Sequence, residues 1–373
     1  MNANHIQGLH LLRTVVVVTV AAIMLMAGPG SRASGVTGTE VPSTTTSHAE
    51  SRDQLEHQAQ RGDVSAMATL AGELLNGVGG PQSRGAAVLW YKRAARAGFG
   101  PAYADLAMAY AGSSLGKPKP VRAVRWARRG VAADSPDAMN VLGLFYQSGL
   151  GVPQDFQKAA KWFRTAAAKG NAPAMANMGL LCAHGLGVKQ SFAHANGWWR
   201  RAADKGFAGA MFNLGLSYQL GHGVRRDPAQ ASAWFLKAAN RGFSPAMVSL
   251  GVTYYSGLGV PKNLQLAMQW WRKAALGGSG DAMRNIGWLY ETGQGVQQSY
   301  PIAVHWYRQA AAAGCVPAML RLAMLYYTGK GVAPNLATAT NWWTQAAKAG
   351  SQPAAMALRR LGLPVPKVAG QIR

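Results

Sequence analysis

Between residues 138 and 170 the small and apolar positions fall into two helical stripes broken once. Ala138, Leu142, Gly143 and Tyr146 recur at helical spacing, Gly149-Leu150-Gly151-Val152 interrupts, and Ala159, Trp162, Phe163, Ala166 and Ala167 resume the spacing up to Gly170. The pattern predicts helix, turn, helix. It then recurs every 36 residues without an insertion: tryptophan stands at 90, 126, 162, 198, 234, 270, 306 and 342, and alanine at 66 and every 36 residues on to 354. Glycine closes most units, at 62, 98, 170, 206, 242, 278, 314 and 350. A unit this short cannot bury its apolar face alone, so stability must come from stacking on neighbours. The expected fold is all-α, a right-handed α-solenoid of helix-turn-helix repeats with an extended binding surface.

The turn chemistry agrees. Glycine pairs such as Gly185 and Gly187, or Gly257 and Gly259, suit a helix C-terminus that needs a left-handed residue. The column Ser83, Lys119, Asp155, Ser191, Asp227, Asn263, Ser299 and Asn335 supplies N-cap formers for the second helices everywhere except Lys119. Within the second helix the alanine stripe lets neighbours approach closely, and the tryptophan column is expected to fill the core beside it. Residues 99 to 134 depart most, with Ser113, Leu115 and Gly116 in the turn and Asp134 where other units close on glycine, which predicts an altered turn.

The array is bounded at residues 51 and 361, eight full repeats with a capping helix at each end. Before it, residues 1–33 carry His5, His10 and Arg13, the apolar run Val15 to Ala27 and small residues around Ser31-Arg32-Ala33, the pattern of a secretory signal. That run of about 13 residues is too short to cross a bilayer as a helix, so no transmembrane span is expected in the mature chain, which is placed in the periplasm or outside the cell. Residues 34–50 are expected to be a flexible linker and 362–373 a mobile tail. Cys182 and Cys315 lie more than three repeats apart, too far for a disulfide, and Cys182 occupies a column otherwise filled by tyrosine, as a small hydrophobe would.

Charge changes the picture next. With 38 Lys and Arg against 14 Asp and Glu, the net charge of +24 favours anionic partners. Catalysis is disfavoured, because the few acids between 66 and 350 are scattered over different layers and two of them, Asp155 and Asp227, serve as caps. Ser114-Leu115-Gly116-Lys117 has a Ser-x-x-Lys spacing without the Lys-Thr-Gly element that accompanies it in penicillin-interacting enzymes. His184 and His222 lack a carboxylate or thiolate to complete a metal site. No cofactor, metal or enzymatic activity is expected.

The columns Ala138, Leu142-Gly143, Tyr146, Gly149-Leu150-Gly151-Val152, Lys158-Ala159, Trp162-Phe163 and Ala166-Ala167 resemble the Sel1-like repeat, a relative of the tetratricopeptide repeat, over residues 66 to 350. The resemblance implies an adaptor or scaffold, with exported bacterial members serving envelope signalling, polysaccharide secretion and host contact. By analogy with related solenoids, first helices should line a concave face. Its outward columns, Asn177, Asn213 and Asn285 with Phe212, Tyr255, Trp288, Met324 and Tyr327, are the leading protein-binding site, amides meeting a peptide backbone and aromatics its apolar side chains. On the second helices Arg122, Arg125, Arg128, Arg129, Lys158, Lys161 and Arg164 form a basic ladder suited to anionic lipid or polysaccharide. Export disfavours nucleic acid as the partner.

Overall fold

The computed structural model describes residues 44–368, with side chains from residue 52 onward, and residues 1–33 of the expected signal lie outside them. Among the described residues all regular structure is helical: α1 (Thr44–Gln60), α2 (Val64–Asn76), α3 (Arg84–Arg96), α4 (Gly100–Ala111), α5 (Pro120–Ala132), α6 (Pro136–Ser148), α7 (Phe156–Ala168), α8 (Ala172–His184), α9 (Phe192–Asp204) and α10 (Ala208–Leu220) come first. They are followed by α11 (Pro228–Ala239), α12 (Ser244–Ser256), α13 (Leu264–Leu276), α14 (Gly280–Thr292), α15 (Tyr300–Ala312), α16 (Val316–Thr328), α17 (Leu336–Lys348) and α18 (Gln352–Arg360). The chain divides into two compact units, one ending at Ala210 and the other starting at Met211. In each, the two helices of a repeat pack together and the second helix packs on the first helix of the next repeat, as α6 on α7 and α7 on α8, or α14 on α15 and α15 on α16. This is an all-α solenoid.

Each repeat is closed by the same local bonds. The backbone N–H of the residue preceding the second helix donates to the carbonyl nine positions earlier at 2.8 Å, from Ser83 to Leu74, from Asp155 to Tyr146, from Asn335 to Tyr326, and even from Lys119 to Tyr110. Asp155, Ser191, Asp227, Asn263, Ser299 and Asn335 then cap their helices through the side chain, whereas Ser83 makes no such bond. The caps of several first helices went unread in the sequence: Asp63, Ser135, Asn171, Ser279 and Ser351 all accept from the backbone N–H three residues on. The turn glycines also fix the stacking. Gly187 has φ +66°, and a side chain there would collide with the backbone at Phe156, where the second helix of the preceding repeat begins. The departing repeat does have a different turn: α4 ends on Gly112 in an extended conformation, and Asp134 is the single non-glycine residue with positive φ (59°) among the described residues.

The core corrects one expectation. The periodic tryptophans, Trp162 among them, are only partly buried; the fully buried ring belongs to the next position, at Tyr91, Phe163, Phe235 and Tyr307, with Trp199, Trp271 and Trp343 nearly so. Helical geometry explains the offset, since the alanine stripe and the position after the tryptophan share the inward face, while the tryptophan lies on its shoulder, in five of the eight repeats beneath a cation three residues on. Arg129 lies 4.6 Å from the Trp126 ring centre, Arg201 4.4 Å from Trp198, and Lys237 4.2 Å from Trp234. Two boundaries shift as well. Residues 44–50, expected in the linker, belong to α1, because the helix starts at Thr44. After α18 the chain stays non-helical, but Leu363 and Val365 pack against the core of the last repeats, so 362–368 cover an end layer that would otherwise face water.

Both cysteines are free and buried. Desolvation raises the thiol pKa of Cys182, and burial with Asp281 nearby pushes that of Cys315 up to about 11.

Candidate binding surfaces

The sequence places eight residues on a protein-binding face, and the structure separates them. Asn177, Phe212 and Asn285 are corrections: each is buried, because its position lies one step inward of the helix surface. Asn177 donates its amide to Asn140 Oδ1 at 2.9 Å, tying two first helices together across a layer. The Phe212 ring sits 5.5 Å from Phe235 and 5.4 Å from Phe243, in the core. Asn213 is half-buried.

The other four residues make a surface within the second unit. Met324 and Tyr327 are 46% and 50% exposed, and Tyr255 and Trp288 half-buried. Met324 falls one repeat after Trp288, and Tyr327 two repeats after Tyr255, so they extend two neighbouring columns of the first helices. Their rings are propped from below, Tyr255 by Trp271 at 6.0 Å and Tyr327 by Trp343 at 5.6 Å between centroids. Half-exposed, rigidly held aromatics give contact area at small entropic cost.

A polar network beside them was missed in the sequence. Glu291, on α14, accepts from Arg321 Nη2 at 2.7 Å and from the Tyr307 hydroxyl at 2.6 Å. Burial, reinforced by the Glu291 carboxylate, raises the Tyr307 pKa well above the usual phenol range. The Arg321 guanidinium also lies 5.2 Å from the Trp288 ring centre. The available signal was positional: Arg321 continues the column of Asn213 and Asn285.

The basic residues lie on the surface. Arg122, Arg125, Arg128, Arg129, Lys158, Lys161 and Arg164 are all exposed. Lys158 is neutralised by Asp155 at 3.0 Å, whereas Arg122, Arg125, Arg128 and Arg129 form no ion pair among the described residues. Arg125, Arg128 and Arg129 border a shallow depression floored by Val121, Val124 and Ala132 and edged by Gly151. No group of three His, Cys, Asp or Glu side chains able to hold a metal occurs among the described residues, and none of their helices is long and apolar enough to cross a membrane.

Helix pairs stacked at a period of 36 residues define a helical-repeat protein. The Sel1 repeat model matches eight consecutive segments that cover residues 64–351 without a gap, and the chain belongs to that family. It is similar to a Sel1 repeat protein from Oxalobacter formigenes, at 30% identity over 88% of this chain and 98% of that one, with a TM-score of 0.60. It is also similar to a protective antigen of uropathogenic Escherichia coli strains with an SLR fold, at 30% identity, covering 83% of this chain and 67% of that one, with a TM-score of 0.57. A comparison with curated proteins gives no match.

Proposed function

We infer that this chain is an exported, non-enzymatic adaptor that holds protein partners on the face made by its first helices. The observation that carries the reading is the group Tyr255, Met324 and Tyr327 on first helices of the second unit, with Met324 and Tyr327 46% and 50% exposed and both tyrosine rings backed by tryptophans. Family membership supports the adaptor class. Export rests on the pattern of residues 1–33, and the similar Escherichia coli protein is described as a protective antigen, which fits a place in the envelope or beyond it. The test is affinity capture from envelope extracts with the full chain and a Tyr255→Ser, Met324→Ser, Tyr327→Ser variant, washed at low and high salt. Partners held by the wild type at high salt and lost by the variant support the reading; equal capture by both overturns it. A mature N-terminus at Met1 in cytoplasmic protein would refute export.

A second reading is favoured by the depression at Val121, Val124 and Ala132, where Arg125, Arg128 and Arg129, none of them in an ion pair among the described residues, flank an apolar floor. That combination suits an anionic headgroup attached to an aliphatic body, anionic lipid before polysaccharide. Co-sedimentation with anionic vesicles should be lost in Arg125→Gln, Arg128→Gln, Arg129→Gln, and in neutral vesicles for both proteins. Equal binding by the two proteins removes the reading.

A further inference from the structure

In the first unit Leu89 and Val121 are each 67% exposed, more than any other large apolar side chain described there. They stand on α3 and α5, second helices of adjacent repeats. Val121 precedes Arg125 by one helical turn, and Arg125 is the equivalent of Leu89 one repeat on, so the two aliphatic side chains share the outward side of the stack. The same helices each carry four Lys or Arg and no Asp or Glu, and none of these cations forms an ion pair among the described residues. Arg93 and Arg129 lie over the half-buried rings of Trp90 and Trp126, 5.1 Å and 4.6 Å from the ring centres.

A protein interface places a contiguous apolar core inside a polar rim. Here the order is reversed, with two separate aliphatic side chains standing in a field of cations. A soluble polyanion would pair with the cations and leave Leu89 and Val121 in water. A bilayer of anionic lipid offers anions over its whole plane and acyl chains beneath every point of it, so isolated apolar side chains find burial without a shaped pocket. Arginine stems lie along apolar surface while their heads stay with the phosphates, and tryptophan is at home at the same depth.

Charge selects the lipid. Each cation close to an anionic leaflet strengthens binding by about fivefold, and a neutral bilayer provides no such attraction. That attraction fades as salt screens it, whereas burial of Leu89 and Val121 does not. The two contributions are therefore separable by experiment.

We propose that the face made by α3 and α5 docks the chain on the surface of an anionic bilayer, with Leu89 and Val121 inserted among the upper acyl segments and the surrounding arginines at the level of the phosphates. The proposal rests on the anionic-lipid reading of the depression beside Val121. It adds α3 to that site, a membrane surface as the partner, and insertion as the mode of contact.

The test uses the full chain carrying a polarity-sensitive nitrobenzoxadiazole dye at Leu89→Cys or Val121→Cys, with Met356→Cys, 50% exposed on the capping helix α18, as the control. Cys182 and Cys315 are buried, with raised thiol pKa, and react slowly. On phosphatidylglycerol vesicles the emission at 89 and 121 should shift to the blue and be quenched by nitroxides placed high on the acyl chain, and the control should show neither. Unlabelled Leu89→Ser, Val121→Ser should bind these vesicles about tenfold more weakly and lose the binding that survives high salt. Vesicle binding with dyes at 89 and 121 that stay in water overturns the insertion and leaves the lipid reading standing, as does salt-resistant binding equal in the wild type and the serine variant. No binding to these vesicles removes both. A blue shift at 89 on soluble polyglutamate without lipid assigns the face to an acidic chain and overturns the proposal.

Discussion

Gly143 lies in the middle of α6, where an exposed glycine would be a weakness, and it faces Phe163 of α7. A methyl group added there would sit 2.6 Å from Phe163 Cε1, 2.7 Å from Cδ1 and 3.2 Å from Cζ. Phe163 is 0% exposed and cannot swing into water, so the ring or the helix spacing must give. Overpacking of this kind costs about 1–3 kcal/mol, while alanine recovers about 0.5–1 kcal/mol of helix propensity, so Gly143→Ala should destabilise by roughly 1–2 kcal/mol. Gly197, in α9, is the internal control. It has nothing within 4 Å of its absent Cβ, so the propensity gain should stand alone and Gly197→Ala should stabilise by about 0.5–1 kcal/mol. Urea denaturation of both variants, followed by circular dichroism, reads the two signs. Gly143→Ala with Phe163→Leu should lose less than the sum of the single changes, because the smaller side chain makes room for the methyl. The reasoning fails if Gly143→Ala is as stable as the wild type, or if the double variant is strictly additive.

Other expectations come from the same packing. Phe163→Ala should cost about 3–5 kcal/mol in a urea melt and Trp162→Ala clearly less, reversing the order that the tryptophan period alone suggests. Asp134 has φ 59° and a 71% exposed side chain paired with Lys169, so Asp134→Gly relieves more backbone strain than the pair contributes and should stabilise by about 0.5–1 kcal/mol; a lower melting midpoint would refute this. The Cys315 pKa is raised in the fold to about 11, so its share of stability is complete below the ordinary thiol range and is lost as pH rises toward 11. Wild type should therefore lose stability against Cys315→Ala over that alkaline window, and a constant difference would count against the burial account.

Repetition made the fold legible. A helix boundary drawn from one repeat is uncertain by a few residues, but eight copies in register fix the turns, the caps and the period together. Even the departure at 99–134 was readable, since it breaks columns that the other repeats keep. The adjacent aromatics at 162 and 163 were harder, because two neighbouring positions on a helix differ by only about a quarter turn and periodicity does not choose between them. The decisive signal was present across the chain rather than within a repeat. Glycine stands at 143, 179, 215, 251 and 287, twenty residues before Phe163, Trp199, Phe235, Trp271 and Tyr307, whereas Ala107 stands twenty before the small Ala127. Size complementarity between columns marks the inward ring in these repeats, though Ala71 and Ala323 stand before Tyr91 and Trp343, and a cation three residues on marks the half-exposed tryptophan at 90, 126, 198, 234 and 270 but not at 162.

The asparagine column shows where such reasoning stops. Polarity put Asn177 and Asn285 on the surface, yet both are buried, and they have opposite fates: Asn177 finds Asn140, while Asn285 Nδ2 has no acceptor. The difference comes from the neighbouring layers. Asn140 stands one column over in the preceding first helix, and the corresponding position before Asn285 is Val248, which offers no side-chain oxygen. A buried amide across from valine is costly to keep unless something else brings the oxygen, and leucine of similar size would avoid the cost. Asn285→Leu should therefore leave the protein as stable or more so. A urea midpoint clearly below that of the wild type would refute this account of the amide.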